Sequence, residues 1–420
     1  MNRRLKAVAA LGAIALVAAG CASENETGGD SGGKTLIIGV DLPFQGASAD
    51  TSEATYNAMQ LYLDQIGGKA GNYTVKLQKY DDSTAAKGGW DDATCSKNAT
   101  DHVNNADEVA VMGTYNSGCA KLQVGTLNQA PDGPLLMVSH ANTNPGLTKA
   151  WEPGEPEKFF PSGTRSYARV ITTDDYQGAA AAQFASKDLQ VKKCFVLNDN
   201  QTYGQGVAKA FADEAAKQGI QVLANEAWDA KATNYTALMQ KIKSAGADCV
   251  YLGGIYDNNG GQLVKDKVAV LGDNKGAVKL IGPDGFTGYE DFQKLPAGEG
   301  TYLTFAGLDA SQLKSAGGKG SKLLADYAAK YGKEPASSYV LYGVQALQVI
   351  LAAIEKSDGT RKGVNSQVFS GAGISISAAD AVLGKDLKID PATGDINVRD
   401  LSVLQMTSGA EKFVKPWPLP

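Results

Sequence analysis

Lys192–Gly206 reads KKCFVLNDNQTYGQG. Four apolar residues, Cys194–Leu197, stop abruptly at Asn198-Asp199-Asn200, and helical spacing takes over near Gly206. A short apolar run bounded by turn residues, with a helix behind it, is the signature of a strand buried on both faces in a parallel sheet. The pattern recurs along the chain. Strands are expected at Thr35–Val40, Val75–Tyr80, Val109–Met112, Leu135–Val138, Gln221–Ala224, Cys249–Leu252 and Lys279–Ile281. Helices are expected to start near Ser52, Trp90, Ala120, Gln177, Gly206, Thr236 and Gly261. In one of them Leu238, Ile242 and Ala245 share a face. About eight β-α units exceed one ordinary core, so the fold class is α/β in two lobes, each a parallel sheet covered by helices.

The loops after the strands are rich in glycine and polar residues: LPFQGASAD (42–50), TYNSGC (114–119), SHANTNPG (139–146), GGIYDNNGG (253–261) and GPDGFTGYE (282–290). Open parallel sheets bind ligands beyond the carboxyl ends of their strands. Two such rims facing each other make a polar cleft. The chain carries 49 glycines in 420 residues, about 12% against an ordinary 7%, and these loops hold many of them.

The first residues, MNRRLKAVAALGAIALVAAGC, form an export signal. Arg3, Arg4 and Lys6 precede an apolar run, Ala7–Val17, which is below the ~20 residues needed to span a bilayer. Small residues then lead to Cys21. This end resembles the bacterial lipobox, which implies removal of residues 1–20 and lipidation of Cys21. Residues 21–34 read as a flexible tether. Loss of Arg3, Arg4 and Lys6 moves the formal charge from −5 to −8. There is no basic footprint for nucleic acid.

Cys95, Cys119, Cys194 and Cys249 remain, an even number that suits an oxidising compartment. Three pairings exist. Cys95–Cys119 with Cys194–Cys249 keeps each bridge local, the second joining two neighbouring strands. The lack of CxxC spacing argues against zinc. No metal or other cofactor is expected. His102, in TDHVNN, reads as a surface residue near a helix end, and the pairs Asp81-Asp82 and Asp91-Asp92 read as solvated faces. The one GxSxG, at Gly29–Gly33, falls in the tether, where no nucleophile elbow can form. No catalytic residue is assigned, and the chain reads as a binding protein rather than an enzyme.

The loops together resemble the leucine/isoleucine/valine-binding protein family, receptors of type I periplasmic-binding-protein fold that serve ABC importers. The resemblance spans about Thr35 to Gln405. It is carried by YDDS (80–83), GTYNSG (113–118), PLLMVSHANTNPGLT (134–148), NDNQTYGQG (198–206), DCVYLGG (248–254), LIGPDG (280–285) and SSYVLYGVQAL (337–347). It implies two lobes joined by three crossing strands, near Val170–Thr172, Thr304–Phe305 and Arg399–Val403. The first lobe would comprise 35–170 and 305–398, the second 171–304 and 399–420.

The resemblance also implies a ligand site. Ser117, at a helix start, and Thr143 would bind the α-carboxylate of an amino acid. The carbonyl of Ala141 and the carboxylate of Asp284 would face its ammonium. Tyr203 would close from the second lobe, Tyr339 would border the side-chain pocket, and Asn116 and Tyr256 complete the set. His140 and Asn142 depart from the small or proline residues usual beside that threonine, and Asp50 is more polar than is common in the first loop. The implied function is an exported, lipid-anchored receptor on the outer face of the cell membrane. It would deliver a branched-chain or related amino acid to permease subunits. The alternatives are a urea, short-amide or aromatic-acid ligand on the same fold, and a sensory role.

Overall fold

A computed structural model describes residues 33–418. The expected signal, Cys21 and most of the tether lie outside the described residues. Residues 33–418 form one compact unit built on two large sheets.

The first sheet contains β1 (Thr35–Leu42), β2 (Lys69–Ala70), β3 (Tyr73–Asp81), β4 (Glu108–Gly113), β5 (Leu136–Ser139) and β6 (Tyr167–Arg169). Their order is β2-β3-β1-β4-β5-β6. All neighbours run parallel except the short β2 against β3. The second sheet contains β7 (Lys193–Asn198), β8 (Gln221–Ala227), β9 (Cys249–Gly253), β10 (Lys279–Gly282), β11 (Tyr302–Phe305), β12 (Ser402–Thr407) and β13 (Ala410–Pro416). Its order is β8-β7-β9-β10-β11-β12-β13, with the last two strands antiparallel. Every residue of β4, β5 and β9 is buried, as expected of strands covered on both faces.

The chain passes between the sheets three times. Val170 N–H donates to Ser139 O at 3.0 Å, and two residues later Thr172 N–H donates to Ala306 O at 3.1 Å. The Thr172 hydroxyl donates to Asp400 O at 3.1 Å. The crossings therefore lie side by side.

Helix Tyr339–Glu355 is buried almost all round and forms the centre of the first lobe. Helix Ala49–Gln65 packs closely on it because residue 343 is glycine. A Cβ there would meet Thr55 Cγ2 at 2.3 Å, inside any real contact distance. In the second lobe, helix Thr236–Ser244 buries Met239 and Ile242, with Tyr235 one turn earlier. Ala245 is exposed and Leu238 only half-buried, so the expected Leu238–Ile242–Ala245 stripe is rotated.

The cysteines pair as Cys95–Cys119 and Cys194–Cys249. In the second pair the two residues are direct register partners on β7 and β9.

Two expectations are corrected. His102 is fully buried rather than on the surface. It sits between Asp41 (Nε2 to Oδ2, 3.1 Å) and Glu108 (Nδ1 to Oε1, 2.5 Å). Burial alone would lower its pKa, but the hydrogen bonds and charges of the two carboxylates win and raise it to about 9. Asp82 is likewise wholly buried, not a solvated face. It lies beside the Cys95–Cys119 bridge, the one grouping of metal-ligand type among the described residues, whose sulfurs are bonded to each other.

Candidate functional site

Where the two strand-end rims meet, a small cavity is lined by Tyr115, Asn116, Ser117, Ala141, Tyr203, Ile255, Asp284, Gly285 and Tyr339. Six of the eight expected contacts are among these residues.

On the first-lobe side, helix Ser117–Leu127 points its N-terminus at the cavity. Asn116 is its N-cap residue, but no side chain caps the helix. Its first-turn N–H groups and positive potential are therefore available to an anion. Asn116 Oδ1 and the Thr143 hydroxyl are buried without a hydrogen-bond partner among the described residues. The Ser117 hydroxyl meets only the Asn144 N–H, at 3.3 Å. Thr143 is wholly buried, one step back from the cavity lining. Its carbonyl accepts from Asp174 N–H at 2.9 Å.

On the second-lobe side sits Asp284, 1% exposed. Tyr203 donates to its Oδ1, and Tyr339, from the first lobe, donates to its Oδ2. Gly285 N–H donates to the Tyr203 hydroxyl at 3.0 Å, which completes that hydroxyl's role as donor and acceptor. Burial raises the Asp284 pKa, and the two phenol hydrogen bonds partly offset the rise.

Tyr256 departs from expectation. Its ring turns into an aromatic cluster, 5.1 Å from Tyr289 and 5.4 Å from Phe292 between centroids. Its neighbour Ile255 lines the cavity instead. The backbone fixes this register, since Tyr256 N–H donates to Gly285 O at 2.9 Å.

Three residues at or behind the lining carry no ligand contact expected from sequence. Tyr115 lines the cavity, with its ring 5.3 Å from Tyr339 and 5.7 Å from His140. His140 lies behind this lining; burial lowers its pKa to about 3, so the ring is neutral, and neither ring nitrogen has a partner among the described residues. Asp174, at the start of helix Asp174–Lys187, is buried, and neither carboxylate oxygen has a partner among the described residues. Burial and then the charge of Asp284 push its pKa well up. Its only sequence signal was the acidic pair in TTDDYQ, just past the first crossing.

The lobes also touch outside the cavity. Ser48 donates twice to Asp257 Oδ1, from N–H and hydroxyl, both at 3.1 Å. Asn144 Nδ2 donates to Thr202 O at 3.2 Å, and Lys149 pairs with Asp175 at 2.8 Å. The cleft is closed.

Known proteins agree with this architecture. Residues 35–410 match the family model described as periplasmic binding protein. The Leu/Ile/Val-binding protein BraC3 of Rhizobium johnstonii is 28% identical over 380 residues, covering 89% of this chain and 92% of that protein. The LivJ substrate-binding protein of Streptococcus pneumoniae, solved with isoleucine, superposes with a TM-score of 0.72 at 21% identity, covering 91% of this chain and 100% of that one. A solute-binding protein from Rhodopseudomonas palustris, solved with p-hydroxybenzoic acid, gives 0.74 at 18% identity, covering 91% and 97%. With the two lobes, the three crossings and the cavity between them, the match over residues 35–410 shows that the chain belongs to the periplasmic binding protein family, as a solute-binding protein of the Leu/Ile/Val-binding type.

Proposed function

We propose that this protein captures a branched-chain or related α-amino acid between its lobes and hands it to the permease subunits of an ABC importer. The observation that carries the reading is the pairing of opposites in one small cavity. An uncapped helix N-terminus with the hydroxyl of Ser117, backed by that of Thr143 one step behind the lining, suits a carboxylate. Asp284, facing it from the other lobe, suits an ammonium. An α-amino acid carries both groups two bonds apart. No covalent step and no cofactor is needed. The lobes divide at 170/171, 304/305 and 398/399, and ligand contacts made only in the closed form shift the population toward it. Lipidation of Cys21 holds the protein on the outer face of the membrane, and a Cys21→Ala variant recovered in the medium instead of the membrane fraction would support that anchor.

A second ligand class has one observation in its favour. The wall made by Tyr115 and Tyr339, backed by the buried His140 ring, is aromatic, which suits a small aromatic acid, and the structural neighbour noted above was solved with p-hydroxybenzoic acid. A thermal-shift screen of amino acids, benzoates, urea and short amides separates the two. Stabilisation by an aliphatic amino acid supports the first reading, and stabilisation by benzoates alone overturns it.

A further inference from the structure

Arg169 ends β6, immediately before the first crossing, and is completely buried. Its guanidinium is spent on one loop and one turn. Nη1 donates to Asn142 O at 2.8 Å and to Asn144 O at 2.9 Å. Those two carbonyls flank Thr143. Nη2 donates to the Thr148 hydroxyl at the far end of the same loop. Nε donates to Asp395 Oδ1 at 2.8 Å. The Arg169 main-chain N–H donates to Gly394 O at 2.9 Å, so the 394–395 turn is held twice. That turn must come very close: a Cβ on Gly394, which has φ +86°, would meet Tyr167 O at 2.2 Å. A few residues beyond Asp395 the chain makes its third crossing.

The loop in turn governs the anion cradle. Asn142 Nδ2 donates to Thr114 O at 2.9 Å and Tyr115 O at 3.0 Å, the carbonyls just ahead of Ser117. Asn144 N–H reaches the Ser117 hydroxyl. The spacing between Ser117 and Thr143 therefore depends on Asn142 and Asn144, whose carbonyls rest on one guanidinium. A planar fork can hold two carbonyls and a carboxylate at once, and a lysine ammonium has no such geometry.

We propose that Arg169, braced by Asp395, is a positioning residue for ligand binding: it sets Thr143 against Ser117 and ties that spacing to the turn that leads into the third crossing. The inference rests on the ligand reading above only for its effect on affinity. Its effect on the loop needs no ligand.

The test uses the mature protein and the variants Arg169→Lys and Asp395→Asn. Hydrogen exchange of the ligand-free protein, followed by mass spectrometry, should show faster exchange in peptides covering 139–148, 114–118 and the 394–395 turn, and little change elsewhere. In calorimetry with the tightest binder from an amino-acid and benzoate screen, Arg169→Lys should weaken binding ~10- to 100-fold, the scale of losing charge-assisted hydrogen bonds. Asp395→Asn keeps an acceptor oxygen and should weaken it less. In a Thr143→Val background the Arg169→Lys loss should shrink to less than ~3-fold, because residues that act through one another are not additive. Unchanged exchange in both loops, or a full and additive affinity loss in the double variant, would overturn the inference. If Arg169→Lys does not fold, Asp395→Asn carries the same comparisons. A protein that binds nothing in the screen contradicts the ligand reading, while the exchange result still decides the role of Arg169.

Discussion

Tyr339, on the first lobe, donates its hydroxyl to the carboxylate of Asp284, on the second, across the cavity itself. The same carboxylate accepts from Tyr203 on its own lobe. A group placed to receive a ligand's ammonium thus already helps to close the cleft. Removing a hydrogen bond to a charged group costs about 1.5–3 kcal/mol, here at the expense of the closed form. Ligand-free Tyr339→Phe should therefore be more open, and small-angle X-ray scattering should record a larger radius of gyration than for wild type. An unchanged radius would show that this contact does not hold the lobes together.

Ser117 tests the other half of the cavity. If the helix N-terminus and its hydroxyl take a carboxylate, Ser117→Ala should cost roughly 2 kcal/mol of binding, as for a charge-assisted hydrogen bond. The fold should be unaffected, because this hydroxyl accepts only the long contact from Asn144 N–H. Titration calorimetry measures the loss. A neutral ligand would lose distinctly less.

Asp284 gives the binding reaction a pH dependence. Burial raises its pKa above 3.8, so on acidification it takes up a proton sooner than an exposed aspartate. A protonated carboxyl cannot balance an ammonium. Amino-acid affinity should fall as pH is lowered, with the fall beginning above the ordinary carboxylate range. Asp284→Asn should bind weakly at every pH with a flatter profile. The measurement is the dissociation constant across a pH series.

His102 makes a stability prediction far from the cavity. Its pKa is about 9 in the folded protein and 6.5 without perturbation. A raised folded pKa stabilises most below the unfolded value, and the contribution disappears as pH rises through the folded value. Unfolding free energy should decline from about pH 6.5 to about 9, and His102→Gln should remove most of that decline. Losing one partner of a buried charged cluster costs about 3–5 kcal/mol. Urea unfolding at pH 6 and pH 9 checks both statements.

The sequence made the strands legible where burial on both faces produces an unbroken apolar run, as in β4, β5 and β9. It did not reveal β6, whose three residues include Arg169, because that strand is defined by sheet hydrogen bonds and a buried charge rather than by apolarity. It also missed β13, an edge strand exposed at alternate residues and joined to β12 by a tight turn. His102 carried a signal that went unused: Cys95, Asn98, Ala99 and His102 share one helical face, and that face is buried. In the cavity, Asn116, Ser117, Ala141, Tyr203, Asp284 and Tyr339 could be placed because their loops have distinctive motifs. Tyr256 could not, since the loop's backbone bond to Gly285 turns its ring into the Phe286–Tyr289–Phe292 cluster and leaves Ile255 at the cavity. Asp174 escaped because an acid at a helix start is ordinarily a solvated first-turn residue.

The central claim is that the cavity recognises the two charges of an α-amino acid together. The most direct test is titration calorimetry of the purified mature protein with aliphatic L-amino acids, each compared with its deaminated acid and its carboxamide. The account predicts one-to-one binding of at least one amino acid, and loss of that binding when either charged group is removed from the ligand. Equal binding of the deaminated acid, or binding only of benzoates or neutral amides, would contradict it.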